Sequence, residues 1–455
     1  MSVDRFVSEQ RERLIAELLA FIRIPSVSTD PARRDDVRAA AGFAADALAR
    51  LGFRSEVHET PGHPVVSATG PDVPGAPRVL IYGHYDVQPA EPLELWHGDP
   101  FEPRLEDGAI VARGASDDKG QVYAHVKGVE AVLATDGSLP LNVGFLIEGE
   151  EEIGSPHLAA FVAEHAERFA ADVVLISDGA MVAPGVPTIT YGLRGLTYAT
   201  VRVRAAGRDL HSGAYGGGVP NALDALARLL TSLKDDDGRV RVAGFYDAVR
   251  PLDERERSAI AGVPFDEDAF RADAGVTATP GEAGYSLLER LWARPTLDVN
   301  GLAGGFQGDG AKTVIAAEGM AKVSCRLVPD QDPRDVLAKL EAHLVAHAPA
   351  GVEVSVTAEG LGESAMTPLD APSVKAATTA LRQVWGREPV FARSGGSIPV
   401  VADFQRLLGA EPLLIGLGQE DDRAHAPNEK FAVHDYLQGI RVSAALLRAL
   451  GRPTG

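Results

Sequence analysis

The stretch LNVGFLIEGEEEIGSPHL, residues 141–158, begins as an apolar run and ends among four glutamates, Glu148, Glu150, Glu151 and Glu152. Like charges at such short spacing repel each other, and burial strengthens the repulsion. The segment therefore needs either water around its acids or cations between them. An apolar run bounded by turn residues is typical of a strand that is buried on both faces.

Three further apolar runs end in polar residues in the same way. They are RVLIYGHYD (78–86), AIVARGASDD (109–118) and ADVVLISDG (171–179), and helical periodicity lies between them. This alternation predicts an α/β domain with a mostly parallel sheet sandwiched by helices. Ligands of such sheets bind beyond the carboxyl ends of the strands, so we expect the polar residues to meet along one rim.

The polar residues at the ends of the runs form a set of histidines and acids that could hold metal ions. They are His84, the pair Asp117 and Asp118, the glutamates of 148–152, Asp178, and His425 near the C-terminus. Nitrogen and carboxylate ligands suit Zn²⁺, Mn²⁺ or Co²⁺. Two ions about 3.5 Å apart, sharing a bridging carboxylate and water, form a known hydrolytic arrangement. Asp86 follows His84 on the same strand face and is suited to hold the far ring nitrogen of that histidine.

Each of these residues has a simpler interpretation when it is taken alone. Asp117 and Asp118 are typical of a helix N-cap, and residues 150–152 are typical of a solvated turn before a helix. Asp178, which precedes a glycine, is typical of a turn residue, and a lone histidine after a strand is usually a surface residue. The recurrence of polar groups at one structural position favours the metal site.

Composition limits the classes of partner. The chain of 455 residues is too long for one core, and its net charge of −20, without a basic stretch, argues against nucleic acid and an anionic membrane surface. The single cysteine, Cys325, excludes an intrachain disulfide and a thiolate metal cluster, and its strand-like context indicates an inert, packed thiol. The N-terminal sequence lacks the features of a signal peptide, so we expect a cytoplasmic protein.

The pattern changes after residue 191. Period-two alternation begins in LTYATVRVRAAG (196–207), and a helix, two strands, a helix and a strand follow. The two middle strands are predicted at AKTVIAAEG (311–319) and AKVSCRLVP (321–329), whereas residues 238–310 show no readable pattern. This order fits an α+β unit of the ferredoxin-like type.

Patterns of the first kind resume after residue 363. We therefore predict a discontinuous catalytic, metal-binding domain at 1–191 and 364–455, interrupted by an inserted α+β domain at 192–363.

A series of motifs resembles a family of dinuclear metallopeptidases. In chain order they are YGHYDVQPAEPLELWHGDPFEP, RGASDDKG, EGEEEIGS, ISDG, GRDLHSGAYGG, CRLVPDQDP, SGGSIPV and AHAPNEKF. The family includes carnosinase-type cytosolic dipeptidases, glutamate carboxypeptidases, aminoacylases and succinyl-diaminopimelate desuccinylase. The match covers nearly the whole chain, and GHYDVQPAEPLELW together with DLHSGAYGG most resembles the dipeptidase branch.

The resemblance implies two divalent ions per subunit, Zn²⁺ first, with Mn²⁺ or Co²⁺ as alternatives. It implies that His84 and Asp178 bind one ion, that Glu152 and His425 bind the other, and that Asp117 bridges both. It also implies a cis peptide bond between Asp117 and Asp118. Of the paired acids, Glu151 would be the general base, although the extra acid Glu150 leaves a shift of one residue open. Glu148 and Glu150 have no predicted role.

The inserted domain would be the lid and dimerisation domain of that family. The resemblance implies a homodimer in which His211 enters the partner's active site and stabilises the tetrahedral intermediate. It also implies that the substrate's carboxylate is held by Arg326 and by the loop of Gly395, Gly396 and Ser397. An arginine fork suits a carboxylate. Asn300 and Thr313 are further candidates for substrate contact.

The expected function is hydrolysis of a peptide bond next to a free C-terminal carboxylate, in dipeptides or short peptides. A metal-bridged hydroxide would attack, Glu151 would accept its proton, and Asp86 would support the metal site. Two alternatives stay open. One is a deacylase acting on N-acyl or N-carbamoyl amino acids, which needs the same metals and base, and the other is a peptide-binding protein without activity.

Overall fold

The computed structural model describes residues 1–395 and 398–452. Within these ranges the strands are, in chain order, β1 (Arg54–His58), β2 (Val65–Thr69), β3 (Arg78–His84), β4 (Arg104–Glu106), β5 (Ala109–Val111), β6 (Asn142–Glu148), β7 (Val173–Ile176), β8 (Ala180–Met181), β9 (Thr188–Leu193), β10 (Gly195–Arg204), β11 (Leu210–His211), β12 (Thr296–Gly304), β13 (Val314–Ile315), β14 (Glu318–Leu327), β15 (Glu353–Gly362), β16 (Ala365–Met366), β17 (Val390–Ser394), β18 (Glu411–Gly416), β19 (Gly418–Gln419) and β20 (Lys430–Ala432). The helices are α1 (Val3–Glu9), α2 (Arg11–Ile22), α3 (Arg34–Arg50), α4 (Lys119–Asp136), α5 (Leu158–Glu164), α6 (Ala166–Phe169), α7 (Ser212–Tyr215), α8 (Ala222–Thr231), α9 (Glu254–Ala261), α10 (Glu267–Asp273), α11 (Leu287–Trp292), α12 (Pro333–Ala346), α13 (Pro372–Trp385), α14 (Pro399–Leu408) and α15 (Val433–Leu450).

A nine-stranded sheet has the order β1-β2-β6-β3-β7-β18-β9-β16, and β17 pairs with β9. Its central strands β6, β3, β7 and β18 are parallel, whereas the outer pairs β1 with β2 and β16 with β9 are antiparallel. Alternate residues of β3 enter two separate cores, Val79 and Ile81 on one face, Leu80 and Tyr82 on the other. Because helices contribute to the core on each face, the predicted helix-covered α/β sheet is confirmed.

Helix α4 is buried on nearly all sides, which requires close neighbours. It packs against α15, and glycines let the two backbones approach: a Cβ added at Gly128 would lie 2.3 Å from the Oγ of Ser443. The N-terminus of α4 follows Asp117 and Asp118 directly. The buried helix therefore anchors one side of the loop that carries these two acids.

The segment predicted as a third central strand, 109–118, lies elsewhere. Only Ala109–Val111 form a strand, β5, and it belongs to a separate three-stranded sheet with the order β20-β5-β4. Residues 112–118 leave this sheet as a loop, so Asp117 does not stand at the end of a central strand. That part of the strand-end prediction is wrong, because four apolar residues before Arg113 are equally compatible with a short edge hairpin.

A second sheet is antiparallel, with the order β12-β14-β10-β15. Helices α8 and α12 cover one face, where Leu229 and Leu340 pack with Val201 and Val323 around the buried Cys325. The chain order β10, α8, β12, β14, α12, β15 is the predicted ferredoxin-like order. The predicted boundary at residue 191 falls within β9, a strand of the large sheet, and the limits 192–363 stay a prediction.

One strand of this second sheet was predicted at the wrong place. Before β14 begins at Glu318, residues 311–317 contain only the short strand β13, which pairs with β11 outside the four-stranded sheet. The second strand is instead β12, inside the stretch 238–310 that shows no pattern in the sequence. A bulge between Val299 and Gly301 shifts its register, and at the edge of the sheet only one of its nine residues is buried, so period-two alternation is lost.

The remainder of 238–310 forms the helices α9, α10 and α11 before β12. Ile260, Val263, Leu288 and Ala293 bury a small core of their own there. No helix in the described ranges has the length and apolar character needed to cross a membrane.

Candidate active site

His84 ends the central strand β3 and is fully buried. Its Nδ1 lies 3.0 Å from the backbone carbonyl oxygen of Asp86. Because a carbonyl oxygen only accepts, Nδ1 carries the proton and Nε2 presents a lone pair. Nε2 lies 3.1 Å from Oδ1 of Asp117 and 3.9 Å from Oδ2 of Asp178, which follows β7. The ring is thus oriented to use Nε2 as a ligand.

Asp117 lies between the two histidines of the site. Its Oδ1 faces His84, and its Oδ2 lies 2.9 Å from Nε2 of His425. His425 is also 3.2 Å from Oε2 of Glu152. His425 comes from a loop after β19 and has a positive φ of 63°. One carboxylate with an oxygen toward each histidine is the geometry that a bridging ligand needs. The peptide bond between Asp117 and Asp118 is cis.

The ligand atoms form two groups, each within 4.8 Å. One consists of His84, Glu151 and Asp178, and the other of Asp117, Glu152 and His425. Glu151 and Glu152 occupy a single 3₁₀ turn after β6 and therefore point to different groups. Glu150 joins neither group: its carboxylate accepts from the N–H of His63 at 3.2 Å and lies 2.8 Å from Nδ1 of His157.

Asp86 holds the turn that carries these two glutamates. Its carboxylate accepts from the N–H of Glu151 at 3.3 Å and from that of Glu152 at 3.2 Å. Its Oδ1 also lies 3.4 Å from Nδ1 of His84. The sequence predicts only the contact with His84. The contact with the turn depends on β3 and β6 being neighbours, with His84 paired to Glu148.

Glu429 is a supporting residue that the sequence analysis missed. It is fully buried, forms an ion pair with Arg113 at 2.8 Å, and accepts from the N–H groups of Gly114, Ser116 and Asp117 at 2.9–3.0 Å. A single glutamate thus fixes the loop that leads to Asp117, the residue between the two histidines. The only signal was its place in the quoted motif AHAPNEKF, four residues after His425.

Two more supporting contacts were not predicted. Gln88 donates from Nε2 to Oε2 of Glu152 at 2.8 Å. Glu148, which had no predicted role, is 1% exposed, and its Oε1 accepts from the hydroxyls of Tyr82 at 2.6 Å and Ser155 at 2.8 Å. Both side chains therefore order the ends of the turn around the two glutamates.

The acids of the two ligand groups are crowded, and this shifts the pKa values of several groups in the cluster. Burial, together with the negative charges of Glu152 and Asp117, raises the pKa of Glu151 to about 7. Burial and the charge of Asp117 raise the pKa of Asp178. Hydrogen bonds with Asp117 and Glu152 raise the pKa of His425 to about 10. The four carboxylates thus strongly favour positive charge at this position, which divalent cations would supply.

Three of the predicted substrate or partner residues lie on elements other than those that carry this cluster: Asn300 on the second sheet, and His211 and Thr313 in or beside the short β11–β13 pair. His211 is exposed in β11, and its Nδ1 accepts from the N–H of Gly213 at 3.0 Å. Thr313 is also exposed. It lies beside His211, because its carbonyl oxygen accepts from the N–H of Ser212, the next residue in the chain. Asn300 is exposed at the bulge of β12. No contact between these three and the metal-ligand groups occurs among the described residues.

The predicted carboxylate site is described only in part, because Gly396 and Ser397 lie outside the described residues. Arg326 is half-buried on β14. Burial and the charge of Arg326 lower the pKa of Arg194 to about 10, so the two guanidinium groups are close. Arg194 Nε lies 3.4 Å from the carbonyl oxygen of Gly395. Arg194 therefore links Arg326 to the Gly395 loop, and the sequence analysis did not single it out.

The sheet, its inserted unit and the paired ligand groups together define a hydrolase of the metallopeptidase class. The sequence model of Peptidase family M20/M25/M40 matches residues 80–449, and the chain belongs to this family. A Cys-Gly metallodipeptidase of Candida albicans is 33% identical over 468 residues, which cover 98% of this chain and 96% of that protein. A Beta-Ala-His dipeptidase of Homo sapiens is 33% identical over 461 residues, covering 97% and 91%.

Solved structures give the same result. Human carnosine dipeptidase 1 superposes with a TM-score of 0.79 at 32% identity, covering 99% of this chain and 98% of that chain. An M20 metallo-carboxypeptidase from Sulfolobus solfataricus gives a TM-score of 0.83 at 32% identity, covering 96% and 99%. The predicted family, its dipeptidase branch, the fold and the enzyme class are confirmed.

Proposed function

We propose that the protein hydrolyses the peptide bond of dipeptides or short peptides with a free C-terminal carboxylate. The observation that carries this proposal is the Asp117 carboxylate between His84 and His425, with Glu151 and Glu152 directed to opposite groups. The similarity to Cys-Gly and Beta-Ala-His dipeptidases supports dipeptides as the substrate class.

The residues fit two divalent cations. Two histidines and four carboxylates within two compact groups are a nitrogen and oxygen donor set, and the repulsion among the acids calls for positive charge. We propose His84 and Asp178 for one ion, Glu152 and His425 for the other, and Asp117 as the bridge, with Zn²⁺ first and Mn²⁺ or Co²⁺ as alternatives. Bound there, such ions polarise a carbonyl group and lower the pKa of a water molecule towards neutrality.

Glu151 is proposed to move the proton. Its carboxylate accepts a proton from the attacking water and then donates it to the nitrogen of the leaving amine. Burial and neighbouring acids raise the pKa of Glu151 to about 7, whereas cations at the ligand groups would favour its carboxylate form, which is the form that accepts the proton. Asp86 keeps Glu151 in place through the backbone N–H rather than by contact with the substrate.

The substrate's carboxylate is proposed to bind between Arg326 and the loop that begins at Gly395, with Gly396 and Ser397 as further predicted contacts. The proximity of Arg194 to both Arg326 and Gly395 supports a cationic site there, since arginine forks pair with carboxylates. Asn300 and Thr313 stay predictions of substrate contact.

A homodimer is proposed to supply His211 to the partner's site, where it would stabilise the oxyanion. The exposed position of His211 in β11 supports this, and so does the apolar edge strand β12, in which Leu302 is 63% exposed. Light scattering should give a dimer, and His211→Ala should lower kcat while dimer and metal content are kept. A fully active monomer would remove the role of the partner.

The alternative is a deacylase acting on N-acyl or N-carbamoyl amino acids. Purified enzyme loaded with Zn²⁺, Mn²⁺ or Co²⁺ should be assayed on Ala–Leu, N-acetyl-leucine and N-carbamoyl-leucine, with and without a chelator. We expect chelator-sensitive turnover of the dipeptide and little of the other two. Preference for either acylated amino acid would overturn the proposal, as would turnover that survives complete metal removal. The expected cytoplasmic location stays a prediction for cell fractionation.

A further inference from the structure

A cavity of about 380 Å³ adjoins the proposed metal site. Its wall includes Asp178, from the first ligand group, and Gly395, at the proposed carboxylate site. Sites for small molecules usually enclose roughly 300–1,000 Å³. The cavity therefore has room for a substrate side chain, and it lies between the two points where the ends of a substrate's last residue are proposed to bind.

Part of the wall of the cavity is apolar. It consists of residues from α11 and from the segment around α10, namely Val263, Phe265, Phe270, Leu288, Leu291 and Trp292. Val263 and Leu288 are 8% and 7% exposed and belong to the small separate core of this segment. The stretch without a readable sequence pattern thus builds a preformed apolar wall over the catalytic sheet.

Two phenylalanines of this wall, Phe265 and Phe270, are called the rim of the cavity. Their rings lie with centroids 5.7 Å apart, and Phe265 is 38% exposed. Covering exposed apolar surface with an apolar side chain is favourable, so the rim favours binding of a large apolar group.

The one buried cation in the wall, among the described residues, is neutralised within the protein. The guanidinium of Arg393 forms an ion pair with Glu256 and lies over the ring of Tyr191 at 5.1 Å. An anionic side chain in the cavity would have to compete with Glu256, whereas an apolar side chain would not. Charge therefore disfavours an acidic side chain, which Asp178 and Glu420 in the lining would also repel, and the apolar wall favours an apolar one.

The position of the cavity indicates which side chain of a substrate it would hold. A Cβ added at Gly395 would lie 3.6 Å from the carbonyl oxygen of Leu291, so α11 contacts the proposed carboxylate loop. With the scissile carbonyl at the metal ligands and the carboxylate at this loop, the side chain between them belongs to the residue that is released. We infer that the cavity binds the C-terminal side chain and selects bulky apolar residues such as leucine or phenylalanine, an inference that rests on the proposed function.

The substrate test is a series with one N-terminal residue: Ala–Gly, Ala–Ala, Ala–Leu and Ala–Phe, with Leu–Ala as the reversed pair. We expect kcat/KM for Ala–Leu to exceed that for Ala–Gly by about tenfold or more, as expected for several methylene groups in an apolar pocket. Ala–Leu should also exceed Leu–Ala. Equal or faster cleavage of Ala–Gly or Leu–Ala overturns this inference alone, whereas no cleavage of any dipeptide overturns the proposed function as well.

The rim test uses Phe265→Ala and Phe270→Ala, with Val276→Ala as the control, because Val276 is 44% exposed in the same segment and does not line the cavity. Each rim variant should lower kcat/KM for Ala–Leu by about tenfold and change that for Ala–Gly by less than about twofold. Equal losses on both substrates would overturn the inference.

A further readout needs no variant. Free leucine should inhibit the cleavage of Ala–Ala more strongly than free glycine, because both amino acids can contact the metal site and only leucine fills the cavity. Equal inhibition by the two amino acids would overturn the inference.

Discussion

Glu148→Gln is expected to make the protein more stable above neutral pH. Glu148 is buried beneath the metal-site turn, and burial, with the charge of Asp86, raises its pKa from 4.5 to about 7. The folded state therefore binds a proton more tightly than the unfolded state. Stability from this group is fully present below pH 4.5 and is lost as the pH rises through about 7.

The size of the expected stability difference follows from the pKa shift of Glu148. One pKa unit corresponds to about 1.36 kcal/mol, so the shift of Glu148 corresponds to about 3 kcal/mol at pH 8. Glutamine removes the ionisation and keeps the Oε1 atom that accepts from Tyr82 and Ser155. The variant should match wild type near pH 4.5 and exceed it by up to about 3 kcal/mol at pH 8.

Urea unfolding followed by circular dichroism at pH 5 and pH 8 measures this difference. The chelator-treated protein should be used, because divalent cations nearby would favour the carboxylate. Glu164→Gln, on the exposed side of α5, is the control and should show no pH-dependent difference. A Glu148→Gln variant that is less stable by the same amount at both pH values would refute the reasoning.

Other changes test the supports of the metal site. Gly120→Ala should lower the free energy of unfolding by about 1–3 kcal/mol in urea melts, because its Cβ would lie 2.0 Å from the carbonyl oxygen of Ala115. Gly42→Ala, which meets nothing within 4 Å in α3, should be neutral or stabilising. Glu429→Gln should weaken metal binding by about 10- to 100-fold in equilibrium dialysis, because its amide group would face backbone N–H donors. Unchanged metal affinity in Glu429→Gln, relative to Glu164→Gln, would contradict this role.

The central strands could be predicted because they are uniformly apolar. β3 and β7 are buried on both faces, so each appears in the sequence as an unbroken apolar run with His84 or Asp178 at its end. For these two residues, the expectation of a common rim follows from the physics of parallel sheets alone.

The loop residues could not be placed in this way. Asp117 reaches the site through a loop held by Glu429, which is 312 residues away in the sequence. His425 arrives through a loop with positive φ rather than from a strand end. The sequence analysis grouped both residues with the other ligands by placing them at strand ends, whereas in the structure loops bring them to the site.

In the second sheet, the sequence prediction failed for a different reason. β12 has a bulge and an exposed edge, so it lacks the alternation that identifies β10 and β14. The supporting carboxylates were also hidden: Glu148 continues an apolar run, and its partners Tyr82 and Ser155 come from other segments. Contacts between distant segments leave no local pattern.

The most direct test of the two-metal peptidase account is Glu151→Gln assayed together with its metal content. Elemental analysis of wild type and variant should give two divalent ions per subunit in both. The account predicts that kcat on a dipeptide falls by about 100- to 10,000-fold in the variant, because the proton has no carboxylate to accept it. A variant that keeps both ions and turns over dipeptide at close to the wild-type rate would contradict the account.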